Sequence, residues 1–67
     1  MKTLTWKDAE ALGEALASAH PGTDPLKLRF TELHALVTAL PGFTDDPQAS
    51  SERLLEAILL AWLEAKD

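Results

Sequence analysis

The sequence predicts a mainly α-helical protein, a compact three-helix domain that spans residues 1–67. The clearest evidence is the last third of the chain, where apolar residues recur at three- and four-residue spacing, as one broad helical face requires. These residues are Leu54, Leu55, Ile58, Leu59, Trp62 and Leu63. Two earlier stretches, about residues 6–19 and 31–40, have similar spacing, and a Pro-Gly pair that stops a helix follows each. The chain has no cysteine, so helix packing has to supply most of its stability.

The first predicted helix begins near Thr5. Thr5 is a suitable N-cap, and Asp8 stands three residues later, where the acid of a capping box is found. The apolar side of this helix consists of Trp6, Ala9, Leu12, Leu16 and Ala19. Gly13 lies inside the helix at a cost of about 0.8–1 kcal/mol relative to Ala, which indicates that another element approaches closely there.

The connection to the second helix begins with Asp24 and Pro25, a pair in which the acid caps a helical turn. Apolar and basic residues alternate near Leu28–Phe30, so we expect at most a very short extended segment there. Thr31 is the predicted N-cap of the second helix, which we expect to run to Leu40.

An acidic turn precedes the third helix. Asp46 and Pro47 repeat the acid-proline pair, and Asp46, Ser50 and Ser51 are each able to cap, so the sequence leaves the first residue of this helix open. Trp6 and Trp62 lie on apolar stripes, which predicts that both pack in the core. Trp62 is one turn from the end of the chain, and we expect it to be the more exposed of the two.

The charge of the chain excludes several classes of partner. Eleven acidic residues against six basic ones give a net charge of −5, and such a field repels nucleic-acid phosphates. The second helix has no Lys or Arg, whereas the recognition helix of a DNA-binding winged helix is basic. No apolar run approaches the ~20 residues that span a bilayer, and the N-terminus lacks the apolar region of a signal peptide. We therefore expect a cytoplasmic protein with no nucleic-acid or membrane partner.

The reactive side chains argue against an enzyme. The chain has no Cys or Tyr and no Gly-rich phosphate loop, and its serines lie near predicted helix ends, where capping explains them. His20 and His34 are 14 residues apart, without a second ligand at helical spacing. A zinc site of a familiar type is therefore not predicted.

The acidic residues are spaced in a way that helix stability does not explain. Glu10 and Glu14 are four residues apart, as are Glu52 and Glu56, and like charges at this spacing weaken a helix by a few tenths of a kcal/mol. Asp46 has a sufficient role as a cap, whereas Asp45, Glu52 and Glu56 have no evident one. Two uses fit these acids: a hard cation such as Mg²⁺, Ca²⁺ or iron, or a basic protein surface. A solvated helix face has the same spacing, so spacing alone leaves the choice open.

Several motifs, taken in order, resemble the IscX (YfhJ) family, small acidic proteins of the bacterial iron–sulphur cluster assembly (Isc) system. The most specific are Arg-Phe-Thr at residues 29–31, Asp-Asp-Pro-Gln-Ala-Ser at 45–50 and the helix that follows, with Trp62. The resemblance covers nearly the whole chain. The chain differs from the family at Pro41, Gly42 and Thr44, where members often have further acids.

The resemblance implies a winged-helix-like arrangement that binds protein in place of DNA. It implies a regulator that docks its acidic face on the basic surface of the cysteine desulfurase IscS and competes there with a frataxin-like protein. The partner-binding residues that it implies are Asp8, Glu14, Asp24, Glu32, Asp45, Asp46, Glu52 and Glu56. The alternative is an iron donor or sensor that binds Fe²⁺ weakly, with no tightly bound cofactor. Its implied ligands are Asp8, Glu14, Asp45, Asp46, Glu52 and Glu56. A monomer is expected in either case, and the absence of cysteine excludes a cluster scaffold.

Overall fold

A computed structural model describes residues 3–66. It contains three α-helices, which confirms the predicted mainly helical three-helix domain: α1 (Ala9–Ala19), α2 (Phe30–Thr38) and α3 (Glu52–Lys66). Two single 3₁₀ turns, Pro25–Lys27 and Pro47–Ala49, lie in the connections. No helix within residues 3–66 has both the length and the apolar composition needed to cross a membrane.

Helix α1 begins at Ala9, so the predicted start near Thr5 is wrong. The Asp8 carboxylate does accept the Thr5 backbone N–H at 3.0 Å, but it also accepts the Thr5 hydroxyl at 3.1 Å. These bonds close a non-helical turn at Trp6, which lies before the first turn of α1. Distant contacts accompany this turn: the Trp6 side chain is buried in the core, and its backbone N–H donates to Asp45.

Helix α2 begins one residue before the predicted cap. The N-cap is Arg29, whose N–H donates to Glu32 Oε1 at 3.0 Å, so Thr31 lies inside the helix and its predicted capping role is wrong. Leu28 and Arg29 have extended backbone angles, with ψ of 142° and 159° respectively, whereas Phe30 is already helical. The expected extended segment is thus two residues long.

Helix α2 ends at Thr38, two residues before the predicted Leu40. The chain then turns through Gly42, whose φ of 89° lies in the left-handed region that favours glycine. Backbone pairing follows at once: Leu4 N–H donates to the Gly42 carbonyl oxygen at 2.8 Å, and Thr44 N–H donates to the Leu4 carbonyl oxygen at 3.0 Å. This single parallel bridge ties the start of the chain to the segment that leads into the acidic turn.

Ser51 is the residue that caps α3. Its hydroxyl oxygen accepts the Leu54 N–H at 3.3 Å, and its carbonyl oxygen accepts the Leu55 N–H at 3.0 Å. Asp46 caps the preceding 3₁₀ turn, because its carboxylate accepts the Gln48 N–H at 2.9 Å. The three alternatives that the sequence left open therefore resolve into two separate caps.

The core lies between α1 and α3, which approach each other closely at Gly13. A Cβ atom at Gly13 would lie 2.6 Å from the Ala61 carbonyl carbon and 2.6 Å from the Trp62 nitrogen, so the predicted close approach is confirmed. The buried apolar residues are Leu4, Trp6, Leu12, Leu16, Leu33, Val37, Leu40, Leu55, Ile58 and Trp62. Both tryptophans are in this core, as predicted, but Trp62 is 0% exposed and the expectation that it is the more exposed one is wrong.

Candidate docking surface

The acidic turn before α3 is fastened to Trp6. Asp45 Oδ2 accepts the Trp6 backbone N–H at 3.1 Å, and Asp45 Oδ1 accepts the Asp46 N–H at 2.8 Å. The Trp6 indole Nε1–H donates to the backbone carbonyl oxygen of Asp46 at 2.7 Å. Because the Trp6 side chain is buried, these bonds hold the turn against the core.

His34 holds the same turn from the side of α2. Its ring stacks on Trp6, with 5.3 Å between the ring centroids and 26° between the planes. His34 Nε2 lies 2.6 Å from the Pro47 carbonyl oxygen, and because a carbonyl oxygen only accepts, Nε2 carries the hydrogen. Phe43 packs edge-on against Trp6 at 4.9 Å. The position of the turn is thus determined by residues from three separate parts of the chain.

Five of the eight predicted partner-binding acids accept backbone hydrogen bonds. They are Asp8, Asp24, Glu32, Asp45 and Asp46. Asp45 has no capping role evident from the sequence, but its carboxylate accepts two backbone N–H groups, those of Trp6 and Asp46. A carboxylate that accepts such bonds is held in position by them. The side chains of these five residues are therefore fixed by the fold, each at its own place on the molecule.

The other three predicted residues are Glu14, Glu52 and Glu56. All three are exposed, and none has a side-chain hydrogen bond or ion pair with another residue of the described part of the chain. Glu14 lies on α1, whereas Glu52 and Glu56 are one turn apart at the start of α3. Carboxylates of this kind are available to an external cation or to basic side chains.

Packing of α1 against α3 brings together acids that the sequence did not group. Glu10, Glu14 and Glu64 line one shallow cleft, together with Ala61 and Ala65. Glu10 was outside the predicted set, and Glu64 was not singled out. The glycine at position 13 indicated a close neighbour but did not identify it as α3, so the place of Glu64 beside α1 was not predictable from spacing.

Comparison with known proteins assigns the chain to a family. A family model described as iron-sulphur cluster assembly matches residues 4–67. The chain belongs to the IscX family. A relative in Pseudomonas aeruginosa, an uncharacterized protein, is 42% identical over 65 residues, which are 97% of this chain and 98% of that protein. The resemblance to IscX drawn from the motifs is thereby confirmed.

The iron ligands implied by the resemblance to IscX are all carboxylates, at Asp8, Glu14, Asp45, Asp46, Glu52 and Glu56. Oxygen donors of this type suit hard cations. Within residues 3–66, no group of three or more His, Cys, Asp or Glu side chains is arranged to hold a metal ion. Asp45 and Asp46 adjoin in one turn, and Glu52 and Glu56 adjoin on one helix face. The implied iron site of this IscX family protein stays a prediction.

Proposed function

We propose that this protein is an acidic adaptor in iron–sulphur cluster assembly. It binds a cysteine desulfurase of the IscS type through its negative face and modulates the rate at which clusters form. The observation that carries the proposal is the exposure of Glu52 and Glu56, without partners in the described chain, at the start of the helix that follows the Asp45–Asp46 turn. Glu14 on α1 is a third exposed carboxylate of this kind. Membership in a family of iron–sulphur cluster assembly and a net charge of −5 support it.

The two kinds of carboxylate have different parts in docking. The turn at Asp45 and Asp46 is held by hydrogen bonds to Trp6, so its charge is already in place before the partner arrives and little side-chain order is lost there on binding. The free side chains of Glu52 and Glu56 form ion pairs with Lys or Arg of the partner. Complementary charge of this kind chiefly raises the association rate and makes it sensitive to salt.

Regulation follows from occupancy of the partner's basic patch. While the adaptor is bound, a frataxin-like protein that uses the same patch is excluded, and sulphur transfer beside the patch changes in rate. The adaptor contributes no catalytic group and acts as a cytoplasmic monomer. Its effect therefore depends on its concentration relative to that of its competitor.

Binding to the desulfurase at low and high salt tests the proposal. The double variant Glu52→Gln/Glu56→Gln removes two negative charges from the start of α3. We expect its dissociation constant at low salt to be roughly 3- to 10-fold higher than that of the wild type, with a smaller difference at high salt. The control is Ala35→Lys/Ala39→Lys, which changes the net charge by the same amount at two exposed positions associated with α2.

The control separates the location of charge from its total. If both double variants weaken binding equally, net charge alone attracts the partner and the proposed face is wrong. Desulfurase activity with and without this protein, in the presence of a frataxin-like competitor, then tests the regulatory part. An activity that does not depend on the ratio of the two proteins refutes competition for one patch.

The second candidate function is Fe²⁺ binding for delivery or sensing. It is favoured by the adjoining carboxylates of Asp45 and Asp46 in one ordered turn, with Glu52 and Glu56 one turn apart on α3. Fe²⁺ titration of the full chain, followed by NMR, tests it. We expect Glu52→Gln/Glu56→Gln to reduce iron binding severalfold. Iron binding that is unchanged in this variant and in Asp46→Asn removes these residues from the site.

A further inference from the structure

Helix α3 has one strongly exposed leucine on an acidic face. Leu60 is 55% exposed, and Glu56 and Glu64 are exposed one turn before and one turn after it. Residues four apart on a helix are neighbours, with about 5–6 Å between their Cβ atoms. Leu60 therefore lies between two carboxylates, and Glu52 and the exposed Arg53 lie about two turns before it, at the start of the helix.

Leu60 is not part of the core that α3 forms. The buried residues of this helix are Leu55, Ile58 and Trp62. Two residues along a helix correspond to about 200° of rotation, so Leu60 points away from the side on which Ile58 and Trp62 lie. Its side chain is left in water by folding, and transfer to an apolar environment remains favourable.

We infer that Leu60 is the apolar anchor of a docking face on α3 that Glu56, Leu60 and Glu64 form. Its partner is a cationic protein surface with an apolar depression for one leucine side chain. This inference rests on the proposed function and specifies the contact that makes the bound state long-lived. Interfaces typically place apolar side chains at the centre and charged ones at the rim. Here the apolar centre is Leu60, and the rim is Glu56 on one side and Glu64 on the other.

The charges around Leu60 select this occupant over two others. A second copy of the chain that used the same patch would place Glu56 and Glu64 against like charges, which opposes association. An anionic lipid surface would be repelled for the same reason. A basic surface instead pairs Lys or Arg with both glutamates while its apolar depression receives Leu60.

A matched pair of leucine variants tests the inference on the desulfurase. Leu26 is exposed to 71% and lies on the turn Pro25–Lys27, outside the docking face on α3, so Leu26→Ala is the control for Leu60→Ala. We expect Leu60→Ala to raise the dissociation constant about tenfold, mainly through faster dissociation, because the loss is of buried apolar area. We expect Leu26→Ala to change it less than about twofold. Leu60→Met retains most of the apolar area and should restore most of the affinity.

The outcomes separate this inference from the proposed function. If the wild type binds with the expected salt dependence and Leu60→Ala binds as tightly as Leu26→Ala, the Leu60 anchor is refuted and the electrostatic proposal stands. If the wild type does not bind the desulfurase at low salt, both are refuted. If sedimentation shows a wild-type dimer that Leu60→Ala abolishes, the occupant is a second copy and the inference is wrong. Circular dichroism melting of each variant verifies that it is folded.

Discussion

The backbone N–H of Trp6 donates to the carboxylate of Asp45 at 3.1 Å, across 39 positions of the chain. The same carboxylate accepts the backbone N–H of Asp46, and the Trp6 indole N–H donates to the Asp46 carbonyl oxygen. Asp45, which the sequence predicts as a docking residue, thus also links the start of the chain to the turn before α3. Substitution of Asp45 therefore changes the fold as well as the surface charge.

Asp45→Ala is expected to lower the free energy of unfolding by about 1–3 kcal/mol, because two backbone N–H groups lose their acceptor. Asp45→Asn keeps one acceptor oxygen and should lower it by about half as much. Urea unfolding measures both. Glu56→Gln is the control, since Glu56 is exposed and its expected change is within about 0.5 kcal/mol. Equal stabilities of Asp45→Ala and Glu56→Gln would contradict the role assigned to Asp45.

Trp6→Phe should destabilise the fold more than Trp62→Phe. Both side chains are almost completely buried, and the substitution removes the same atoms from each. Trp6 Nε1–H donates to the Asp46 carbonyl oxygen, whereas Trp62 Nε1 has no partner within residues 3–66. We expect a difference of about 1 kcal/mol in the free energy of unfolding, which is the typical net contribution of one hydrogen bond.

Chemical denaturation of the two tryptophan variants, each followed by far-UV circular dichroism, measures this difference. A larger loss for Trp62→Phe would show that cavity formation, and not the hydrogen bond of Trp6, decides the ranking. The Trp6 variant should also shift the NMR signals of residues 45–49, because the turn loses one of its attachments.

Gly13→Ala is expected to destabilise the protein despite the better helix propensity of alanine. The propensity gain is about 0.8–1 kcal/mol, but the new Cβ would lie 2.6 Å from backbone atoms of Ala61 and Trp62, which forces α1 and α3 apart. Overpacking of this kind costs about 1–3 kcal/mol or more, so we expect a net loss in thermal unfolding experiments.

Gly22→Ala is the control for Gly13→Ala, because nothing lies within 4 Å of a Cβ atom built at Gly22. We expect Gly22→Ala to leave the melting temperature unchanged or to raise it slightly, through a less flexible unfolded chain. A Gly13→Ala variant that melts as high as Gly22→Ala would mean that the helices separate at no cost.

Ser51→Ala should cost about 0.5–1 kcal/mol, because the Leu54 N–H loses the side-chain oxygen that caps α3. Ser50→Ala is the control, because Ser50 directly precedes Ser51 and the Ser50 side chain has no hydrogen bond within residues 3–66. We expect the free energy of unfolding of Ser50→Ala to stay within about 0.5 kcal/mol of the wild type. The reverse ranking in urea unfolding would identify Ser50 as the cap.

The sequence by itself determined the local features of this protein. Three apolar periodicities, the Pro-Gly stops and the Asp-Pro turns depend on residues within a few positions of one another, and the helices and both turns lie where those patterns place them to within a few residues. The close approach at Gly13 was also predictable, since a glycine inside a helix lowers stability, and close packing of a neighbouring element offsets this loss. The IscX family was also predictable from short local sequence motifs.

Only the tertiary structure decided which acids are free. Asp45 and Glu56 are both acids for which the sequence shows no evident capping role. In the structure Asp45 accepts two backbone hydrogen bonds, whereas Glu56 is exposed without a partner in the described chain. The start of α1 at Ala9, the complete burial of Trp62 and the place of Glu64 beside α1 have the same origin. Each depends on contacts between residues about 40 or more positions apart, and periodicity and capping patterns report only on neighbours within one or two helical turns.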